Sequence, residues 1–234
     1  MSAPPPGERD ERLTPSAHAQ ESTYGKGVDY VAGSPHPSHH GLHSRLVGRL
    51  RRLVDATFAR TGRCRILEVG GGHGTFTEQL AALGAEVTVS EISKASAEVL
   101  SRRFHRARGI SVFYDPDGEA IFTLDADFDL VLCISVLHHI PDYLRFAERL
   151  TLLLRPGGAL AAYQDPDWYP RRARRDHSAD CLAYYGGRVT QGNLLAGMAT
   201  VLRRFRGGLN ETLPADMTEY HVVRQGVDDL ALAE

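Results

Sequence analysis

The sequence predicts a doubly wound α/β domain on a mostly parallel sheet. Short apolar runs of strand length alternate with amphipathic stretches of helix length. One run, Phe128-Asp-Leu-Val-Leu-Cys-Ile134, is apolar almost throughout, as a central parallel strand buried on both faces must be. The first run passes straight into a glycine-rich turn. The chain has 234 residues, 42% of them hydrophobic, enough for one sizeable core and about one large domain.

In order along the chain, residues 1–22 are rich in Pro, Glu, Arg and Ser and are expected to form a disordered tail. Residues 24–40 read as a structured entry loop. A helix follows on the stripe Leu42, Leu46, Leu50, Val54 and Phe58, with arginines on its other face. Arg65 to Val69 is a first strand, and Phe76, Leu80 and Leu83 mark a helix that Gly84 stops. Glu86 to Glu91 is a second strand, Ser93 to Phe104 a second helix of the alternation, and Ile110 to Tyr114 a third strand. After the central strand, Pro141-Asp142 opens a helix through Tyr143, Phe146, Leu150 and Leu153. Arg155-Pro-Gly-Gly158 is expected to turn the chain into a fifth strand, Ala159 to Gln164. Residues 166–234 hold an arginine cluster (Arg171, Arg172, Arg174, Arg175), the aromatics Trp168, Tyr169, Tyr184 and Tyr185, a strand-like Tyr220 to Arg224, and a helix start at Val227. The expected division is therefore a tail (1–22), an N-terminal cap helix (23–60), the core (61–165) and a C-terminal helical lid (166–234).

Composition narrows the function. With 27 basic and 29 acidic residues the formal charge is -2, so nothing suggests a nucleic-acid glove or a polybasic membrane anchor. Nearly all the positive charge is arginine, since Lys26 and Lys94 are the only lysines. Cys64, Cys133 and Cys181 form neither a disulfide framework nor a metal-ligand spacing. No stretch is apolar for the length of a membrane span, and the N-terminus lacks the apolar core of a signal peptide. A reducing cytoplasm is the expected location.

Chemistry concentrates in Ile66-Leu-Glu-Val-Gly-Gly-Gly-His-Gly-Thr-Phe76. Glycines let the backbone approach a ligand where a Cβ would block it, and the following helix offers unpaired N–H groups. The dinucleotide fingerprint G-x-G-x-x-G fails, because its third glycine falls on Thr75. What stands here is Glu68-x-Gly70-x-Gly72-x-Gly74. Glu91 ends the second strand about twenty residues on, the offset of a ribose-binding carboxylate. Asp115-Pro-Asp117-Gly-Glu119 follows the third strand, and Ile134-Ser-Val-Leu-His-His-Ile-Pro-Asp142 the fourth.

These motifs, in this order over roughly residues 40–165, resemble the class I S-adenosylmethionine-dependent methyltransferases, specifically the small-molecule enzymes of the ubiquinone/menaquinone-biosynthesis type. The resemblance implies a Rossmann-like fold and S-adenosylmethionine as cofactor, leaving S-adenosylhomocysteine as product. It implies that Glu68, Gly70, Gly72 and Gly74 shape the cofactor loop, that Glu91 holds both ribose hydroxyls, and that Ile92 lies against the adenine. It assigns Asp117 to the adenine amino group, with Asp115 as the alternative. The implied acceptor is a small molecule, methylated on O, N or C. No Asn/Asp-Pro-Pro-Tyr follows the fourth strand, which argues against methylation of a nucleobase amino group. The family's sheet usually closes with an antiparallel hairpin, of which only one strand can be placed here.

Each motif has a plainer reading. The glycines could form a mere tight turn, and Glu91 could be a solvated strand end. Asp117 could serve its own turn. His138 and His139 are candidate general bases for a hydroxyl acceptor, or packing beside the cofactor. His36, His39, His40 and His43 lack a carboxylate or cysteine to complete a metal set, so no metal is expected. Tyr24 or Tyr30 could cover the cofactor. The arginine run reads as a solvated helix start. A protein or RNA methyltransferase, or a cofactor-binding protein of this fold without methyl transfer (regulatory or cyclase-like), are the alternatives. The oligomeric state is open, a homodimer among the options.

Overall fold

A computed structural model of the chain describes Glu21, residues 40–125 and 127–168, Ser178 and residues 226–233. The expected tail other than Glu21, the entry loop with Tyr24, Tyr30, His36 and His39, the arginine and tyrosine clusters of the lid, Cys181 and the strand at Tyr220 lie outside the described residues.

The elements are α1 (His40–Thr61), β1 (Arg65–Val69), α2 (Thr75–Ala82), β2 (Glu86–Glu91), α3 (Lys94–Phe104), β3 (Ile110–Tyr114), β4 (Phe128–Ile134), α4 (Tyr143–Thr151) and β5 (Leu154–Tyr163), with 3-10 turns at Ala120–Thr123 and Leu137–His139. Among the described residues the sheet has the order β3-β2-β1-β4-β5, and every pair is parallel. The chain winds outward from β1 to β3, then crosses back to β4 on the other side of β1. That reversal opens a crevice at the carboxyl ends of β1 and β4, where doubly wound sheets bind ligands.

Alternate residues of the central strands feed two cores. Ile66 of β1 and Leu130 and Leu132 of β4 meet Leu46, Leu50 and Val54 of α1 and Phe76 and Leu80 of α2. Leu67, Val69, Val131 and Cys133 face the other way, onto Ile121, Leu137 and Leu150. All seven residues of β4 are buried, which is why that run is apolar almost throughout. Each fully buried leucine among these contributes ~1.5–3 kcal/mol relative to exposure. Cys64 and Cys133 are free and buried, and burial pushes the Cys64 thiol up to about 11 and that of Cys133 further still. Both therefore behave as small hydrophobes. No helix among the described residues is long and apolar enough to cross a membrane.

Two expectations are corrected. Arg155 to Gly158 does not turn into β5 but lies inside it, as an irregularity: Leu154 pairs with Phe128 and Ala159 with Leu130, so the excess residues bulge opposite Asp129. The bulge is held because Arg155 folds back to an ion pair with Asp129, which is fully buried and also accepts the backbone N–H of Arg65 at 2.7 Å. Arg60 of α1 donates to the Gly157 carbonyl. Second, no helix starts at Val227. Its N–H donates to the Pro166 carbonyl at 2.9 Å, it bridges Asp167, and the next residues form a turn in which Asp228 Oδ1 accepts from Leu230 and Ala231. Long-range pairing has overridden the local helical pattern here.

Candidate cofactor site

The glycine loop leaves β1 at the switch point. Gly70 and Gly71 both donate to the Ser90 carbonyl, at 2.9 and 3.2 Å, which ties the loop to the end of β2. Gly74 is the N-cap of α2, with φ +84° and no side-chain cap, so the first amides of α2 have no side-chain partner there. Much of the glycine requirement comes from the protein itself. A Cβ on Gly71 would lie 2.1 Å from Val89, one on Gly74 2.5 Å from Phe104, and one on Gly70 2.7 Å from Val136. The loop is thus pressed between α3 and the segment after β4. Arg103 of α3 grips it from outside, donating to the His73 carbonyl at 2.6 Å and to Glu78 at 2.7 Å.

Two carboxylates stand beneath the loop. Glu91, at the end of β2, accepts the Gly72 N–H on Oε2 at 2.8 Å and the Ser93 N–H on Oε1 at 2.9 Å. Glu68, at the end of β1, accepts the Thr77 hydroxyl at 2.6 Å. Both are buried. Burial pushes each carboxyl up to about 7. The Thr77 hydroxyl opposes this at Glu68 and the charge of Glu91 adds to it; at Glu91 the backbone amides of Ser93, Gly72 and Ile92 oppose it and the charge of Glu21 adds to it. Ile92 itself is half-buried, and Ser93 caps α3 by accepting from Ser96 at 3.2 Å.

After β3 the two aspartates divide. Asp115 is buried and caps the first 3-10 turn, taking the N–H groups of Ala120 and Ile121 at 3.0 and 3.1 Å. Burial raises its carboxyl above the usual range. Asp117 is exposed, accepts the Glu119 N–H at 3.0 Å, and lies close enough to Asp115 for a side-chain contact that adds to the rise of the Asp115 carboxyl.

After β4, His138 and His139 sit in the second 3-10 turn with ring centroids 3.9 Å apart. Asp165, just beyond β5, accepts both the backbone N–H of His138 at 3.1 Å and its ring Nδ1 at 2.7 Å. Val136, two residues before His138, is the side chain that a Cβ on Gly70 would strike, so this turn borders the glycine loop. Sequence reasoning missed Thr77, Arg103 and Asp165. Thr77 and Arg103 act through spacing that no short motif encodes, and Asp165 meets His138 only because β4 and β5 are neighbours. His43 of α1 stacks on Phe76 at 5.6 Å, and no metal-binding group of His, Cys, Asp or Glu exists among the described residues.

A model of the methyltransferase domain family matches residues 67–160. The ubiquinone biosynthesis O-methyltransferase of Methylocella silvestris is 34% identical over 146 residues, 57% of each chain. The enzyme of the same name from Xanthomonas campestris pv. campestris is 36% identical over 100 residues, 41% of each. This chain spans about half the length of the curated relatives it matches. Among solved structures, the N-methyltransferase NodS of Bradyrhizobium japonicum with S-adenosyl-L-homocysteine is 21% identical, with a TM-score of 0.49, over 64% of this chain and 72% of that one. The residues that match the methyltransferase domain model, 67–160, run from β1 into β5 and carry the glycine loop, Glu68, Glu91 and the turn after β4.

Proposed function

We propose that this chain transfers a methyl group from S-adenosylmethionine to a small-molecule acceptor, at the carboxyl ends of β1, β2 and β4. The observation that carries the reading is the state of Glu91. Its Oε2 accepts the N–H of Gly72 and its Oε1 that of Ser93, with the Ile92 amide also directed at it, so the carboxylate is fixed in place beside the glycine loop, where two neighbouring ribose hydroxyls would donate to it. The residues present fit the cofactor: Gly70, Gly72 and Gly74, all at positive φ, form a cradle beside two buried carboxylates. Ile92 is the adenine neighbour, and the exposed Asp117 is free of the capping duty that occupies Asp115, which favours it for the adenine amino group.

When bound, the cofactor supplies a methyl on a sulfonium, already a good electrophile. The chain's own work is then to bind, align and exclude water. Glu68, held by Thr77, braces the loop from below, while Arg103 fixes it from outside. The names of the curated relatives support a small biosynthetic acceptor. Residues 61–165 form the cofactor domain in this reading, residues 23–60 and 166–234 the cap and lid that enclose the acceptor. The free, buried cysteines fit a cytoplasmic setting.

Calorimetric titration of S-adenosylhomocysteine tests the reading, after mass spectrometry of the denatured protein for co-purified ligand. Binding at micromolar strength or better supports it. A folded, ligand-free protein that does not bind sinks it.

A further inference from the structure

α4 clamps the segment after β3 from its exposed side. Arg149 of α4 lays both arms of its guanidinium on Glu119: Nη1 donates to Oε1 at 2.8 Å and Nη2 to Oε2 at 2.7 Å. The guanidinium carbon also stands 3.7 Å from the centre of the Phe122 ring. That ring in turn meets Phe146, one turn earlier on α4, edge-on at 5.6 Å. The helix does not depend on this clamp, because Ala147 and Leu150 already bury its inner face. The side chains of Arg149 and Glu119 are 34% and 60% exposed, and an ion pair so placed adds little to stability. A forked and stacked arginine does hold its partner in one geometry.

What it holds borders the cofactor site. The Asp115 N–H donates to the Glu91 carbonyl at 3.0 Å, so the segment leaves β3 beside the ribose carboxylate. Asp115 then turns inward, to the amides of Ala120 and Ile121. Asp117 stays at the surface, where its Oδ1 accepts the Glu119 N–H at 3.0 Å. Between Asp117 and Glu119, Gly118 has φ +72° and nothing within 4 Å of where a Cβ would stand, so packing does not hold the tip of this loop. The connection runs from α4 through Arg149 and Glu119 to Asp117.

We propose that Arg149 is a positioning residue for base recognition: by clamping Glu119 it fixes the main-chain N–H that orients the Asp117 carboxylate, and so sets a preference for adenine over a 6-oxopurine. The proposal rests on the cofactor reading above, with Asp117 at the adenine amino group. A carboxylate only accepts hydrogen bonds, so it pairs with a 6-amino group and is repelled by the 6-oxo group of hypoxanthine. That discrimination is only as sharp as the placement of the carboxylate.

The test is calorimetry on ligand-free protein with S-adenosylhomocysteine and with S-inosylhomocysteine, which carries oxygen in place of the 6-amino group. Wild type is expected to prefer the adenine compound. Arg149→Ala is expected to weaken that compound about 10-fold, the scale of one hydrogen bond to a charged group, and to leave the inosine compound within about twofold. Arg149→Lys keeps the charge without the fork and is expected to weaken the adenine compound about threefold or more. Glu119→Gln is expected to act in the same direction, and the double variant with Arg149→Ala to lose no more than Arg149→Ala alone, because both changes break one contact. Should Arg149→Ala fold poorly by circular dichroism, Arg149→Lys and Glu119→Gln carry the same comparison. Equal weakening of both compounds marks general loosening and overturns the proposal, as does no weakening of either. Wild type without the preference, or Asp117→Ala that retains it, overturns the adenine assignment and the proposal with it. Wild type that binds neither compound overturns the cofactor reading itself.

Discussion

Glu91 Oε2 accepts the N–H of Gly72 at 2.8 Å across 19 residues of sequence, so the end of β2 and the tip of the glycine loop are one rigid unit. Replacing Glu91 with Ala removes the partner of both Gly72 and Ser93 and leaves those two amides unpaired in a buried place. Hydrogen bonds to a charged group contribute ~1.5–3 kcal/mol each. S-adenosylhomocysteine should therefore bind at least about 30-fold more weakly, since ~2 kcal/mol corresponds to roughly that factor. Calorimetry on a variant shown to be folded by circular dichroism measures it.

The two buried carboxyls predict a specific pH dependence. Glu68 and Glu91 are raised to about 7 by burial, from ordinary values near 4.5. Between those limits the folded chain retains protons that the unfolded chain has lost, so the pair's contribution to stability is fullest below about 4.5 and falls as pH rises to about 7. In the cofactor-free protein, Glu68→Gln should gain thermal stability relative to wild type as pH rises through this window. Cofactor affinity should run the other way, rising with pH as Glu91 ionises. Because the two charges repel, Glu68→Gln should move that rise to lower pH. Thermal melts and titrations at several pH values check both.

Two glycines at similar φ should respond differently to alanine. Gly62 at +71° has nothing within 4 Å of where a Cβ would stand, so Gly62→Ala carries only the conformational cost, ~1–2 kcal/mol. Gly74 at +84° would add contacts at 2.5 Å with Phe104 and 2.9 Å with Leu100. Overpacking adds a further ~1–3 kcal/mol. Gly74→Ala should thus melt several degrees below Gly62→Ala, read by differential scanning calorimetry.

At the opposite end of the sheet, Asp129→Ala should be among the more damaging single changes. It strands the Arg155 guanidinium and the Arg65 amide, both bound by a fully buried carboxylate. Breaking a buried ion pair costs ~3–5 kcal/mol, and so roughly 10 °C in Tm at about 2–4 °C per kcal/mol for a domain of this size. Cofactor affinity of the folded fraction should be little changed, because this network lies at the amino ends of the strands.

The sequence by itself determined the fold class and the order of β1 to β5, because the signals involved are local. Apolar runs such as Phe128 to Ile134 are strands whatever surrounds them, and Gly74 or Asp142 marks a helix start within a few residues. It also singled out Glu68, Glu91 and the glycines, whose spacing is short enough to read along the chain. Tertiary structure alone decided the rest. It turned Arg155 to Gly158 from a turn into a bulge, because Asp129 on the neighbouring strand captures Arg155. It drew Val227 onto Pro166 in place of a helix, and it gave Asp115 to a 3-10 turn, leaving Asp117 exposed. It brought Asp165 to His138 across 27 residues. In each case the deciding partner lies on another element, and a buried charge or amide takes the nearest partner the packed fold offers. Local periodicity carries no information about which partner that is.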